Sequence, residues 1–280
     1  MMRTASLIRG LAFLLASVCG ATAVGHAQWL GYPVQGLPRL ANGHVNLSAK
    51  APRARDGKPD LSGVWQAQLE SIEGKQNAFS VPGDDPRTFN KYFLNILADV
   101  KPDDLPLRPS AVEAMRINRE RHLPGAAARC LPLGLPIMDV FSYSPFKMIQ
   151  TPGVLVVLYE MDNAHRQIYT DGRKLPVDPQ PTWGGYSVGR WEGDTLVVNA
   201  AGFNDRTLLD TSGHPHSEQM HLEERFHRRD FGHMDLTVTI DDAAMYTKPL
   251  SYTVTEVLLP DSDVLETVCN ENEKDLVHLR

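Results

Sequence analysis

Along the second half of the chain, apolar and polar residues trade places at every second position. In HMDLTVTIDD, residues 233–242, Leu236, Val238 and Ile240 point one way and Thr237 and Thr239 the other. A period of two marks a strand with one buried face. Segments of strand length recur at 146–161, 165–173, 186–203, 220–229, 250–260 and 264–272. Turn residues separate them: Pro152-Gly153, Asp171-Gly172, Glu192-Gly193-Asp194, Gly202 and Pro260-Asp261. Short turns between such segments predict antiparallel pairing. The chain shows no βαβ alternation, which disfavours Rossmann-like and TIM-barrel sheets. An earlier strand starts at Val64-Trp65 within PDLSGVWQAQLE, where Asp60 or Ser62 can cap a turn.

Two positions break the alternation in an informative way. Leu222 and Phe226 share a face with Glu224, and Tyr252, Val254 and Leu258 share one with Glu256. A carboxylate on a core face is costly unless it is paired or set in a cavity. The pattern predicts a mainly β fold: an antiparallel barrel with a mostly apolar lumen and a few polar groups inside.

Residues 84–122 have a different texture. Phe89, Phe93, Ile96, Leu97 and Val100 fall at helical spacing after Asp85-Pro86. A second helix is predicted in RPSAVEAMRINRERH, with Ser110 as cap and Val112, Met115 and Ile117 as its apolar side. This helical insertion reads either as a lid or as a plug at one end of the sheet. Residues 28–58 carry Pro, Gly and Arg without a period and read as an extended arm or linker.

The first 27 residues read as a signal peptide. Arg3 and Arg9 precede an apolar run from Leu11 to Val24, and Gly25 and Ala27 suit cleavage before Gln28. The run is too short for a confident membrane span, and Cys19 lacks the usual surroundings of a lipidated cysteine. The expected location is periplasmic or secreted. Cleavage takes two Arg and no acid, so the formal charge moves from −6 to −8. An acidic chain disfavours nucleic acid and anionic lipid as partners. Cys130 and Cys269 remain. In an oxidising compartment they read as a disulfide; two inert thiols or a reactive cysteine are the alternatives.

SGVW, residues 62–65, resembles the Gly-x-Trp that opens lipocalin-like barrels. RQIYTDGR, GRWEGDTLVVNAAGFND, GHPHSEQMHLEERF and VCNENEKDL, in that order, resemble a large uncharacterised family of exported bacterial proteins. The resemblance spans about Pro59 to Leu276. It implies a lipocalin-like barrel and cofactor-independent lyase chemistry on lignin-derived aromatic dimers. It carries no catalytic residue over and bears only on the class of substrate.

The chemistry-bearing residues gather in a few stretches. GHPHSEQMH supplies His214, His216 and His221, which suit a metal site, an acid–base site or a hydrogen-bonded polar loop. AAGFNDRTLLD ends a strand at Gly202 and presents Asn204, Asp205 and Asp210. If the two segments flank one barrel mouth, Asp205 or Asp210 orients His214 or His216; otherwise Asn204-Asp205 is a common turn. His165, Gln167 and Tyr169 share a face, which makes His165 a second acid–base candidate if that face lines the lumen and an ordinary stripe if it meets water. GRWEGDTLVVN reads as a structural hairpin. Asn270 and Asn272 are placed to bond the barrel mouth.

The chain has no P-loop, GxGxxG after a strand or HExxH. That disfavours nucleotide, flavin and nicotinamide chemistry. The expectation is a cofactor-free lyase on a hydrophobic or aromatic small molecule in the lumen. His214 or His216, helped by Asp205 or Glu224, moves a proton, His165 is the further candidate, and Arg166, Tyr169, Asn204 and Arg225 contact substrate. A non-catalytic carrier of the same kind of ligand and a zinc-dependent hydrolase are the rivals.

Overall fold

A computed structural model describes residues 33–68, 95–97, 100–120, 126, 129–140 and 144–269. Nine strands run in chain order around it: β1 (Gly63–Ala67), β2 (Phe146–Thr151), β3 (Val154–Tyr159), β4 (His165–Tyr169), β5 (Tyr186–Glu192), β6 (Thr195–Ala201), β7 (His221–Arg228), β8 (His233–Asp241) and β9 (Leu250–Leu258). Each pairs with the next, and β9 returns to β1 through Trp65 opposite Leu258, so the sheet closes into a barrel. Closure leaves no edge strand to template aggregation.

The alternation is realised in the three longest strands. Leu222, Glu224, Phe226 and Arg228 of β7, Met234, Leu236, Val238 and Ile240 of β8, and Tyr252, Val254, Glu256 and Leu258 of β9 all face inward and are buried. Their partners face out: Thr237 meets Thr253, and Thr239 meets Ser251. Trp65, Phe146, Met148, Leu155, Ile168, Leu196 and Phe226 fill the interior. Each such side chain contributes about 1.5–3 kcal/mol by leaving water.

The structure differs from the sequence expectation in three places. The β4–β5 pairing is parallel and short, Ile168 opposite Ser187 and Tyr169 opposite Val188. The long connection from 170 to 185 permits it, since a parallel pair needs a crossover and not a tight turn. The segment 264–269 is not a strand. It runs outside the barrel, where Thr267 N–H donates to Asn163 Oδ1 and Asn163 Nδ2 donates to Thr267 O. Finally, the helix α1 (Pro109–Glu120) exposes Val112 and buries Ala111, and Ser110 Oγ donates to Ala244 O instead of capping the helix. Phe89 and Phe93 of the other expected helix, the signal peptide, Asn270 and Asn272 lie outside the described residues. A short helix, α2 (Ile137–Val140), follows the disulfide Cys130–Cys269, which joins positions 139 residues apart.

The two ends of the barrel are finished differently. The arm crosses one end: Phe231 N–H donates to Ala49 O and Gly232 N–H to Leu47 O, both at 2.7 Å. Gly232 has room for no side chain there, because a Cβ would stand 2.4 Å from Leu47 Cβ. Inside this end, the Arg228 guanidinium lies 4.8 Å from the Trp65 ring centroid and donates to the carbonyls of Asp60, Ser62, Asp230 and Phe231. The opposite end carries α1, α2 and the β6–β7 and β8–β9 loops. No helix among the described residues is long and apolar enough to cross a membrane.

Candidate active site

Strands β3, β4, β5 and β7 and helix α2 bring a cluster of polar side chains together in the interior. Arg166 and Ile168 are the inward residues of β4. Its Nη1 donates to Asp139 Oδ2 at 3.0 Å and to Glu224 Oε1 at 3.1 Å, its Nη2 donates to Glu224 Oε2, and its Nε donates to Ser187 Oγ at 3.0 Å. Tyr159 Oη donates to the other Asp139 oxygen at 2.5 Å. Asp139 and Glu224 are fully buried, so one cation faces two carboxyls in a medium that screens poorly. Burial first, and then the Glu224 charge, push the Asp139 carboxyl well above the usual range, against the pull of Arg166. The Arg166 guanidinium bridges the two carboxyls.

The loop between β6 and β7 carries the second group. Asp210 is fully buried and accepts from the backbone N–H of Ile96, Ser212 and His214. Its Oδ2 lies 2.6 Å from His214 Nδ1. A carboxylate only accepts, so Nδ1 carries a proton toward Asp210 and Nε2 is the nitrogen left to exchange one. Nε2 meets no hydrogen-bond partner among the described residues. A buried carboxylate that fixes an imidazole by one nitrogen leaves the other to take or give a proton.

His216 is spent differently. Its Nδ1 donates to Ser217 O at 3.2 Å, and Thr207 Oγ1 donates to its Nε2 at 2.6 Å. Burial lowers its pKa, and the ring is a neutral strut of the loop. Tyr246 Oη, donating to Pro215 O, fixes the segment between the two histidines. With both nitrogens of His216 engaged, it is not free to ligate a metal. Among the described residues, no three His, Cys, Asp or Glu gather as a ligand set.

The remaining expected residues are placed as follows. Asp205 is exposed, and Asn204 Oδ1 accepts from Arg206 N–H, as in an ordinary turn. Glu224 pairs with Arg166 and not with a histidine. His165 and Tyr169 stand on the outer face of β4, where Tyr169 stacks on Tyr186 and under Arg173. Arg225 is on the outer face of β7, paired with Glu192 at 2.8 Å. His165 and Arg166 nonetheless both reach a pocket of about 250 Å³, lined also by Leu135, Met138, Tyr159 and Trp183. It lies beside the weak parallel seam.

Sequence reasoning missed Asp139, Tyr159 and Ser187. Asp139 had a signal: it is a lone acid in the apolar run LPIMDV. Tyr252 and Glu256 lie on the inner face as expected, and neither the Tyr252 hydroxyl nor either Glu256 oxygen has a hydrogen-bond partner among the described residues.

Compared with protein-family models, curated proteins and solved structures, the chain matches none.

Proposed function

We propose that the chain is a cofactor-free acid–base enzyme, a lyase, acting on a hydrophobic or aromatic small molecule held in the barrel. His214 moves the proton, and Asp210 orients the ring. The observation that carries the reading is the Asp210–His214 pair: a 2.6 Å hydrogen bond on one ring nitrogen, with the other nitrogen unbonded among the described residues. Such positioned proton transfer contributes on the order of 10²–10⁴ in rate. The four motifs resemble an uncharacterised family of exported bacterial proteins, and the association of that family with lyases of lignin-derived aromatic dimers supplies the substrate class. Arg166 is committed to Glu224 and Asp139, and Arg225 lies outside, so neither is assigned to the ligand. The disulfide and the signal-like amino terminus fit a periplasmic or secreted protein.

The test is turnover of a panel of phenolic dimers and aryl carboxylates, followed by mass spectrometry with and without chelator. Loss of water, CO₂ or a small carbonyl fragment that survives chelator and disappears in His214→Ala supports the reading. Turnover left intact in His214→Ala overturns it. A carrier is the second reading, favoured by the fact that Arg166, Glu224 and Asp139 satisfy one another without a ligand. Binding across the panel with no change in mass supports the carrier.

A further inference from the structure

We propose that Tyr252 and Glu256 are the polar contacts of an uncharged ligand in the lumen, and that the barrel selects such a ligand over an anion. The proposal rests on the reading of the lumen as the ligand site and names the ligand's charge class.

Three observations carry it. The first is the pair of orphans. Tyr252 is 6% exposed and Glu256 0%, and neither polar end has a partner among the described residues, whereas Arg166, Asp139, Glu224, Tyr159, Ser187, Arg228, Asp210 and His216 are all bonded. Leaving a buried polar group unpaired costs about 1–3 kcal/mol. A fold that satisfies every neighbour and leaves two groups bare on one strand face has set them aside for something else.

The second is placement. The two side chains share the inner face of β9, four residues apart, which is about 13 Å along a strand. The Asp139 carboxyl, at the lumen end of α2, acts electrostatically on both. They therefore border one interior with the Arg166 cluster.

The third is charge. The buried cations among the described residues are Arg166 and Arg228. Arg166 is shared between two carboxyls, and Arg228 is held by four backbone carbonyls at the closed end. A ligand anion would meet Glu224 with no free cation to offset it. Burial, and then Asp139, push the Glu256 carboxyl well above the usual range, which favours its protonated form, a hydrogen-bond donor, over a second buried anion. An acid and a phenol suit a carbonyl, ether or hydroxyl oxygen.

The test compares a ring-matched pair, 2-acetylnaphthalene and 2-naphthoate, binding to the full chain by calorimetry. The ketone is expected to bind, and the carboxylate at least tenfold more weakly. Glu256→Met weakens ketone binding about tenfold, Glu256→Gln, which keeps a donor, restores most of it, and Tyr252→Phe weakens it severalfold. Ketone binding unchanged in both Glu256→Met and Tyr252→Phe, naphthoate binding as tight as the ketone, or no ketone binding at 1 mM overturns the proposal. If Glu256→Met does not fold, Tyr252→Phe and the ketone-to-naphthoate ratio decide. The readout is binding and not turnover. A chain that binds the ketone as stated but shows no lyase activity keeps this proposal and loses the lyase reading. A chain with lyase activity whose Glu256→Met and Tyr252→Phe variants bind the ketone undiminished does the reverse.

Discussion

Asp210 Oδ2 and His214 Nδ1 stand 2.6 Å apart within one loop, and the same carboxylate also gathers the N–H groups of Ile96, Ser212 and His214. It therefore has two jobs that substitution can separate. Asp210→Asn with its amide nitrogen toward Nδ1 keeps an acceptor for the Ser212 and His214 N–H groups, loses the Ile96 N–H bond, and turns the tautomer so that the proton sits on Nε2. The expected outcome is a fall of about 10²–10³ in kcat with about 1 kcal/mol of destabilisation from the one lost backbone bond. Asp210→Ala loses both, with about 1–3 kcal/mol of destabilisation as well. Steady-state rates alongside urea unfolding separate the two effects.

Arg166 gives a prediction about stability alone. Arg166→Met leaves Glu224 and Asp139 buried without a cation, and removing one partner of a buried pair costs about 3–5 kcal/mol. Adding Glu224→Gln and Asp139→Asn to Arg166→Met removes the stranded charge, so the triple variant is expected to recover most of that loss. Urea unfolding of the single and triple variants is the check. A triple variant no more stable than the single one contradicts this account.

The barrel was legible because its strongest signal is local. Alternation in β7, β8 and β9 gives both the strands and the buried faces, and it placed Glu224 and Glu256 inside correctly. What was not legible depends on contacts far along the chain. On β4 the sequence offers His165, Gln167 and Tyr169 on one face and Arg166 and Ile168 on the other. Either can be buried until Glu224, 58 residues away, supplies the counter-charge. The parallel seam was hidden because residues 170–185 have no period and nothing local names the partner of β4. The loop at 204–216 was half legible. Both Asp205 and Asp210 lay within reach of a histidine, and only the fold buries one and exposes the other.

The Glu256 carboxyl makes stability fall with rising pH. Its pKa is raised in the folded chain, so above about pH 4.5 the unfolded chain loses this proton and the folded chain keeps it. The folded state then binds more protons, and its advantage shrinks by up to about 1.4 kcal/mol per pH unit until the folded pKa is passed. The contribution is complete below pH 4.5 and is lost above it. Glu256→Gln does not titrate. The stability of Glu256→Gln relative to the parent is expected to grow steadily from pH 4.5 to 7.5 in urea titrations; a constant difference means that Glu256 is ionised in the fold.

The disulfide joins Cys130, ahead of α2, to Cys269, after β9, across 139 residues. A link over so long a loop restrains the unfolded chain strongly, and removing it is expected to cost about 2–5 kcal/mol. It also anchors the segment that leads into α2 and Asp139. Cys130→Ser with Cys269→Ser is therefore expected to lower the unfolding midpoint and to raise protease cleavage between 129 and 140 before any cleavage in β7 or β8. Simultaneous cleavage of both regions means that the link does not hold this corner locally.

At the closed end, Arg228 acts through shape as much as charge. Its guanidinium lies between the Trp65 and Phe231 rings, at 4.8 and 5.3 Å from their centroids, and fans its donors over four carbonyls. Among the described residues no carboxylate pairs with it, and burial lowers its pKa to about 10. Lysine cannot copy this: an ammonium has three donors on a compact head and no planar face to lie on a ring. Arg228→Lys is therefore expected to destabilise nearly as much as Arg228→Met, by about 2–4 kcal/mol, because each leaves carbonyls of residues 60, 62, 230 and 231 short of a donor. The arm hangs from the same turn, through the Phe231 and Gly232 N–H groups. Hydrogen exchange of those two amides should rise in both variants while the amides of β6 stay protected. Rescue by lysine, with the amides still slow, shows that charge alone suffices at this position.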